Sequence, residues 1–248
     1  MSALTILGLA ALMTATAFLS GIFGMAGGLI LIGVLLAIMP VPAAMAMHAI
    51  TQMASNGWRA LLWRRHIIWS QLGFYSLGCV AALAVWSFVL FVPDKPMALL
   101  SLGITPFLAR AMPANLRPDP ERCTHGLVYG MICMSLMLLT GVTGPLLDTF
   151  FLGAKTNDRR GIVATKATAQ VLGHGFKLVY FGGLAAGAAG LDTMLLLAAV
   201  AASMLGTTLA RRVLESISDS QFRLWASRLI TGVAAWYLAQ GSYLLLVR

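Results

Sequence analysis

The segment Ala46-Met47-His48-Ala49-Ile50-Thr51-Gln52-Met53-Ala54-Ser55-Asn56-Gly57-Trp58-Arg59 aligns without gaps on Ala164-Thr165-Lys166-Ala167-Thr168-Ala169-Gln170-Val171-Leu172-Gly173-His174-Gly175-Phe176-Lys177. Ala46/Ala164, Ala49/Ala167, Gln52/Gln170 and Gly57/Gly175 are identical, while Trp58/Phe176 and Arg59/Lys177 keep their chemistry. Self-similarity at one fixed offset is the mark of a duplicated structural unit. Upstream of these windows, Gly24 and Gly27 stand opposite Gly141 and Gly144 at nearly the same spacing. Each half therefore reads as a glycine-broken segment followed by a polar-striped helix.

The surroundings of the two windows decide the solvent. Of 248 residues, 59% are hydrophobic and 10% charged, against about 25% charged in an ordinary soluble domain. Apolar runs lie near 4–39, 43–63, 67–91, 95–110, 124–152, 160–181, 192–210 and 221–246. Several match the roughly 20 helical residues that cross a hydrocarbon core. The expected fold is an all-α integral membrane protein, with residues 1–248 forming a single transmembrane domain. The net charge of +9 sits mostly in short loops between the runs, which points to membrane topology rather than to nucleic acid. Cys79, Cys123 and Cys133 have no metal-like spacing and read as packing residues. No Lys or Arg precedes the first apolar run, so that run is expected to stay in the mature protein.

Two runs are unusual. Run 4–39 is too long for one span and is interrupted by Gly21, Gly24, Gly27 and Gly28; run 124–152 is interrupted by Gly141, Gly144 and Pro145. Both read as broken helices or re-entrant hairpins. The basic clusters Arg59/Arg64/Arg65, Arg110/Arg117/Arg122, Lys155/Arg159/Arg160 and Arg211/Arg212/Arg223 discriminate, because short cytoplasmic loops are rich in Lys and Arg. All four fall on one side only if each broken run enters and returns on the same face. Each half then has one hairpin and three crossings, so the halves, 1–112 and 123–248, are inverted repeats. They are joined by a cytoplasmic loop, 113–122, and both termini lie outside an inner, cytoplasmic membrane.

On the repeated helices, His48, Gln52, Ser55 and Asn56 share one face, as do Lys166, Gln170, His174 and Lys177. Polar stripes at membrane depth are costly unless they face protein or water, and a central Lys costs about 2.5–3.5 kcal/mol. A structural ion pair between Lys166 and Asp148 is one explanation. The other is an anion site, favoured because the residue equivalent to Lys166 is His48 and neither stripe carries an acid. Glycine breaks expose free N–H groups and helix N-termini, which bind anions. The candidate substrate-binding residues are His48, Gln52, Asn56, Lys166, Gln170 and His174 with the backbone at Gly24, Gly27, Gly28, Gly141 and Gly144. Arg59 and Lys177, towards opposite ends of their helices, are expected at the inner and outer mouths. Asp148, His48 and His174 are the candidates for proton coupling.

At these residues the chain resembles the TauE/SafE family of sulfite and organosulfonate transporters. The likeness covers nearly the whole length and rests on Gly24-Met25-Ala26-Gly27-Gly28 and Gly141-Val142-Thr143-Gly144-Pro145, each followed by a polar-striped helix. The resemblance implies transport of sulfite, a sulfonate or a related oxyanion, driven by an ion gradient. In place of the fuller family pattern, Leu29 follows Gly28 and Pro145 stands where a second-half glycine is usual.

A passive channel for small anions would share the same lining and stays open as an alternative. An intramembrane enzyme would need a nucleophile with a base or a metal cluster. Ser55 near His48 is the nearest approach, and no Gly-x-Ser-x-Gly or His-Glu-x-x-His motif occurs. No catalytic residue, metal or cofactor is expected, and the partners are a small anion and membrane lipids. The inverted topology makes a sharp prediction: a reporter fused after Arg248 reads as external, and a cytoplasmic reading removes the hairpin scheme.

Overall fold

The computed structural model describes residues 2–113, 118–151, 159–184, 192–216 and 218–247. Arg117 and Lys155 of the basic clusters, and Arg248, lie outside the described residues. Among the described residues, ten α-helices run in order: α1 (Ala3–Phe23), α2 (Ala26–Ile38), α3 (Val41–Leu62), α4 (Trp69–Val89), α5 (Lys95–Ala111), α6 (Cys123–Thr140), α7 (Gly144–Phe151), α8 (Arg159–Val179), α9 (Thr193–Ser216) and α10 (Asp219–Leu246). A 3-10 turn, Arg64–His66, links α3 to α4, and α8 runs on into a wider π-helical turn, Tyr180–Leu184. Among the described residues there is no strand.

Among the described residues, five helical stretches are long and apolar enough to cross a membrane: α1, α4, α6, residues Thr193–Arg211 of α9 and Leu224–Leu246 of α10. The polar stripes keep α3 and α8 from this group despite their 22 and 21 residues. Around the outside, Phe88, Trp236, Tyr243 and Leu246 are largely exposed. Large exposed apolar groups of this kind suit hydrocarbon rather than water.

Both long apolar runs break where glycine permits it. Gly24 and Gly141 are the glycines at positive φ, 73° and 85°, a region that costs other residues strain. At the first break the chain reverses. A Cβ added at Gly27 would fall 1.8 Å from the Thr16 carbonyl oxygen, whereas a straight helix would separate these positions by about 16 Å. Gly21, Gly27 and Gly28, read from sequence as further interruptions, lie inside α1 and α2 and serve close contact instead. At the second break Gly141 caps α6 in the left-handed region, its N–H bonded to the Met137 carbonyl, and Thr140 Oγ1 donates to the Val142 carbonyl at 2.6 Å.

The helices pack in crossed pairs: α1 on α9, α4 on α6, α3 on α8 and α5 on α10. Three of these pairs have a close-contact glycine on each of the two helices. A Cβ at Gly21 would lie 2.2 Å from Ala210 Cβ, and one at Gly206 would lie 2.2 Å from the Thr14 carbonyl. Gly78 and Gly130 likewise face the carbonyls of Leu127 and Tyr75, each at 2.1 Å, while Gly103 and Gly241 receive Leu238 and Leu100. Lipid supplies no hydrophobic drive for association, so dispersion across such close backbone approaches holds the pairs.

Substitution Gly130→Leu is expected to lower the stability of the detergent-purified protein by about 1–3 kcal/mol through overpacking. Gly73→Ala, with nothing within 4 Å of its Cβ, is expected to leave the thermal unfolding midpoint unchanged or slightly raised. Equal midpoints for the two variants would show that the α4–α6 crossing is not tight.

Candidate functional site

The two breaks meet inside the bundle. A Cβ at Gly144 would lie 2.5 Å from Met25 Cβ, and one at Gly141 would lie 2.8 Å from Met45 Sδ and 3.1 Å from Ile32 Cγ1. The first break and the helix that follows it also face both polar stripes. The Cβ position of Gly24 is 3.8 Å from Lys166 Nζ, and that of Gly28 is 3.2 Å from Gln52 Oε1. Helices α3 and α8, packed on each other, thus present their stripes to the place where the chain reverses.

His48 and Lys177 join the halves at this place. Both are fully buried. His48 Nε2 lies 2.9 Å from the Gly28 carbonyl, and its Nδ1 lies 2.8 Å from Lys177 Nζ. A carbonyl only accepts, so Nε2 carries the proton and Nδ1 accepts from the lysine, which makes the ring the neutral Nε2–H tautomer. Lys177 also donates to the Gly141 carbonyl at 2.9 Å. One lysine thereby ties the second break to the first through the imidazole. His174, one turn earlier on α8, sets its ring edge-on to His48 with 5.3 Å between centroids.

The other stripe residues form a second group. Lys166 makes an ion pair with Asp148 of α7, the bond that charge alone suggested. Their side chains keep 16% and 33% exposure, so this pair reaches open space while Lys177 does not. On α3, Asn56 Nδ2 donates to the Gln52 carbonyl at 2.9 Å, and Arg59 Nη1 approaches Asn56 Oδ1 at 3.5 Å. Ser55 is taken up by Thr207 of α9, with oxygens 2.7 Å apart. Gln170 is buried on α8.

The sequence-derived residues thus gather as two clusters: His48, His174, Lys177, Gly28 and Gly141 in one, Lys166, Asp148 and Gly24 in the other. Gly27, against Thr16 and Ser20, serves the hairpin contact. Lys177, expected at the outer mouth, is instead wholly buried. It sits in the last turn of α8 as foreseen, but its ammonium turns inward to two acceptors. Thr143 is new to the site. It lies in the second break with a buried, unpartnered Oγ1, as does His174 with its Nδ1. The signal for Thr143 was available, since a polar residue separates the two glycines of Gly141-Val142-Thr143-Gly144.

What such an arrangement can do is hold a negative charge: ammonium groups, an imidazole and side-chain amides stand around two interrupted helices, with Asp148 matched by Lys166. Comparison with known proteins agrees on the sign of the cargo. A family model described as Sulfite exporter TauE/SafE matches residues 9–237. No curated protein and no solved structure matches the chain. The family match spans nearly the whole chain and, with the apolar helices, identifies a multi-pass membrane transport protein: this chain belongs to the TauE/SafE sulfite exporter family.

Proposed function

We propose that this chain is a secondary carrier that moves a small sulfur oxyanion, sulfite or an organosulfonate, across the cytoplasmic membrane by alternating access. The observation that carries the reading is the meeting of the two glycine breaks, each with a lysine ammonium against it: Lys166 Nζ 3.8 Å from the Cβ position of Gly24, and Lys177 Nζ 2.9 Å from the Gly141 carbonyl. His48, Gln52, Asn56, Gln170 and His174 complete the binding surface, with the backbone at Gly24, Gly28, Gly141 and Gly144. Arg59 acts as a gate on the inner side, Lys177 belongs to the buried centre, and Asp148 and His174 are the groups for proton coupling.

Alternating access here rests on two inverted repeats, 1–112 and 123–248, joined by the cytoplasmic loop 113–122, with both termini outside. The packing pattern supports this. Exchanging α1–α5 with α6–α10 turns α1 on α9 into α6 on α4, α2 on α10 into α7 on α5, and α3 on α9 into α8 on α4, all contacts that occur. The pairs α3 on α8 and α5 on α10 map onto themselves. A pseudo-two-fold of this kind places substrate where the repeats meet and lets one state be the mirror of the other.

A carrier fits better than an open channel because the polar path is blocked at one end. The Lys177–His48 bond is fully buried, whereas the Lys166–Asp148 pair keeps partial exposure. Reconstituted protein is expected to take up labelled sulfite or taurine saturably, with uptake accelerated by unlabelled substrate inside the vesicles. An imposed pH gradient is expected to change the rate. Flux that rises linearly with concentration and shows no counterflow would identify a channel, and no flux of either anion would end the anion reading.

A further inference from the structure

The two lysines of the site differ in what offsets them. Lys166 and Asp148 form a pair that adds no net charge. Lys177 is buried against His48 Nδ1 and the Gly141 carbonyl, both neutral, and among the described residues no carboxylate pairs with it. Arg59 stands in the last turn of α3, about 16 Å of helix rise beyond His48. At the level of the second break, Lys177 thus has no countercharge among the described residues.

Its hydrogen bonding is also incomplete. An ammonium has three N–H donors, and two are used by acceptors among the described residues. Nδ1 of His174 and Oγ1 of Thr143, both in buried residues, are unpartnered. Buried polar atoms in folded proteins are nearly always bonded. An ammonium proton, a hydroxyl and an imidazole nitrogen are all able to donate to the oxygens of a tetrahedral anion.

We propose that this centre takes a singly charged tetrahedral oxyanion, with Lys177 as its countercharge, and discriminates against doubly charged anions of the same shape. The inference rests on the anion-transport reading above and adds the charge of the substrate. A monoanion beside Lys177 brings the centre to neutrality. A dianion leaves one negative charge unpaired among buried residues, and such burial is strongly unfavourable. Asp148 already claims Lys166, so the second lysine does not remove the excess. Methanesulfonate and sulfate have nearly the same size and tetrahedral shape and differ in charge and in a methyl group that replaces one oxygen, so the loss of the preference in Lys177→Met identifies the part due to charge.

The test is calorimetric titration of each anion into the full-length protein in detergent, at constant ionic strength and near-neutral pH. Wild type is expected to bind methanesulfonate at least about ten-fold more tightly than sulfate. Lys177→Met is expected to weaken methanesulfonate by at least about ten-fold, while Lys177→Arg keeps the preference for the monoanion. Sulfate binding as tightly as methanesulfonate to wild type overturns the assignment and leaves the transport reading intact. So does a folded Lys177→Met protein with wild-type affinity for methanesulfonate. The wild-type ratio decides even if no variant folds. Wild type that binds neither anion, and neither sulfite nor taurine, overturns both proposals.

Discussion

A lysine ammonium held deep in the protein by two neutral acceptors is the constraint on which the centre of this molecule depends. Removing an ammonium from water is costly by several kcal/mol even after relaxation, so Lys177 must keep both the His48 nitrogen and the Gly141 carbonyl. Each acceptor is available for a local reason. Gly141 is the left-handed cap of α6 and has left the helical ladder, freeing its carbonyl. His48 presents a bare Nδ1 because its other nitrogen is spent on the Gly28 carbonyl. The second break, the first hairpin and the two striped helices are therefore fastened at one atom, Lys177 Nζ.

That fastening needs the striped helices to be brought together, and the surrounding glycines do this. Gly78 and Gly130 let α4 and α6 approach until a methyl group would strike a carbonyl, and Gly206 and Gly21 bring α1 and α9 as close, against the Thr14 carbonyl and the Ala210 methyl. These outer pairs present apolar residues to the lipid and enclose α3 and α8, whose buried faces carry His48, Gln52, Asn56, Gln170, His174 and Lys177. The polar residues thus face protein, as membrane helices require, and His48, Asn56 and Lys177 find hydrogen-bond partners there. Tyr237 of α10 adds a tie of its own, donating to the Leu29 carbonyl on α2.

Much of this was legible in the chain. The break at Gly24 and the break at Gly141 were placed by glycine spacing, and the buried faces of α3 and α8 by helical periodicity, because both are local properties of sequence. The ion pair of Lys166 with Asp148 was legible as a matter of charge. What sequence could not supply was the inward turn of Lys177. Its position near a helix end suggests a surface, and only the packing of α8 against α3 brings His48 within reach. The same limit applies to Gly21, Gly27 and Gly28: composition marks them as unusual, but whether a glycine bends a chain or seats a neighbour depends on residues distant in sequence, such as Ala210 for Gly21.

The internal alignment adds a last point about the two ends of the stripes. His48 corresponds to Lys166 and Arg59 to Lys177, so under the proposed repeat the partner contact to Lys177–His48 is Lys166 with Arg59. The first is a cation on a neutral acceptor and closes to 2.8 Å. The second would set two cations against each other, which repel unless an acceptor of negative charge stands between them. In this structure Lys166 holds Asp148 instead, and Arg59 leans on Asn56. The two ends are therefore equivalent in position and unequal in chemistry. Under the proposed carrier reading, one end would seal without an anion and the other would not, an asymmetry through which a negatively charged solute would influence which side is open.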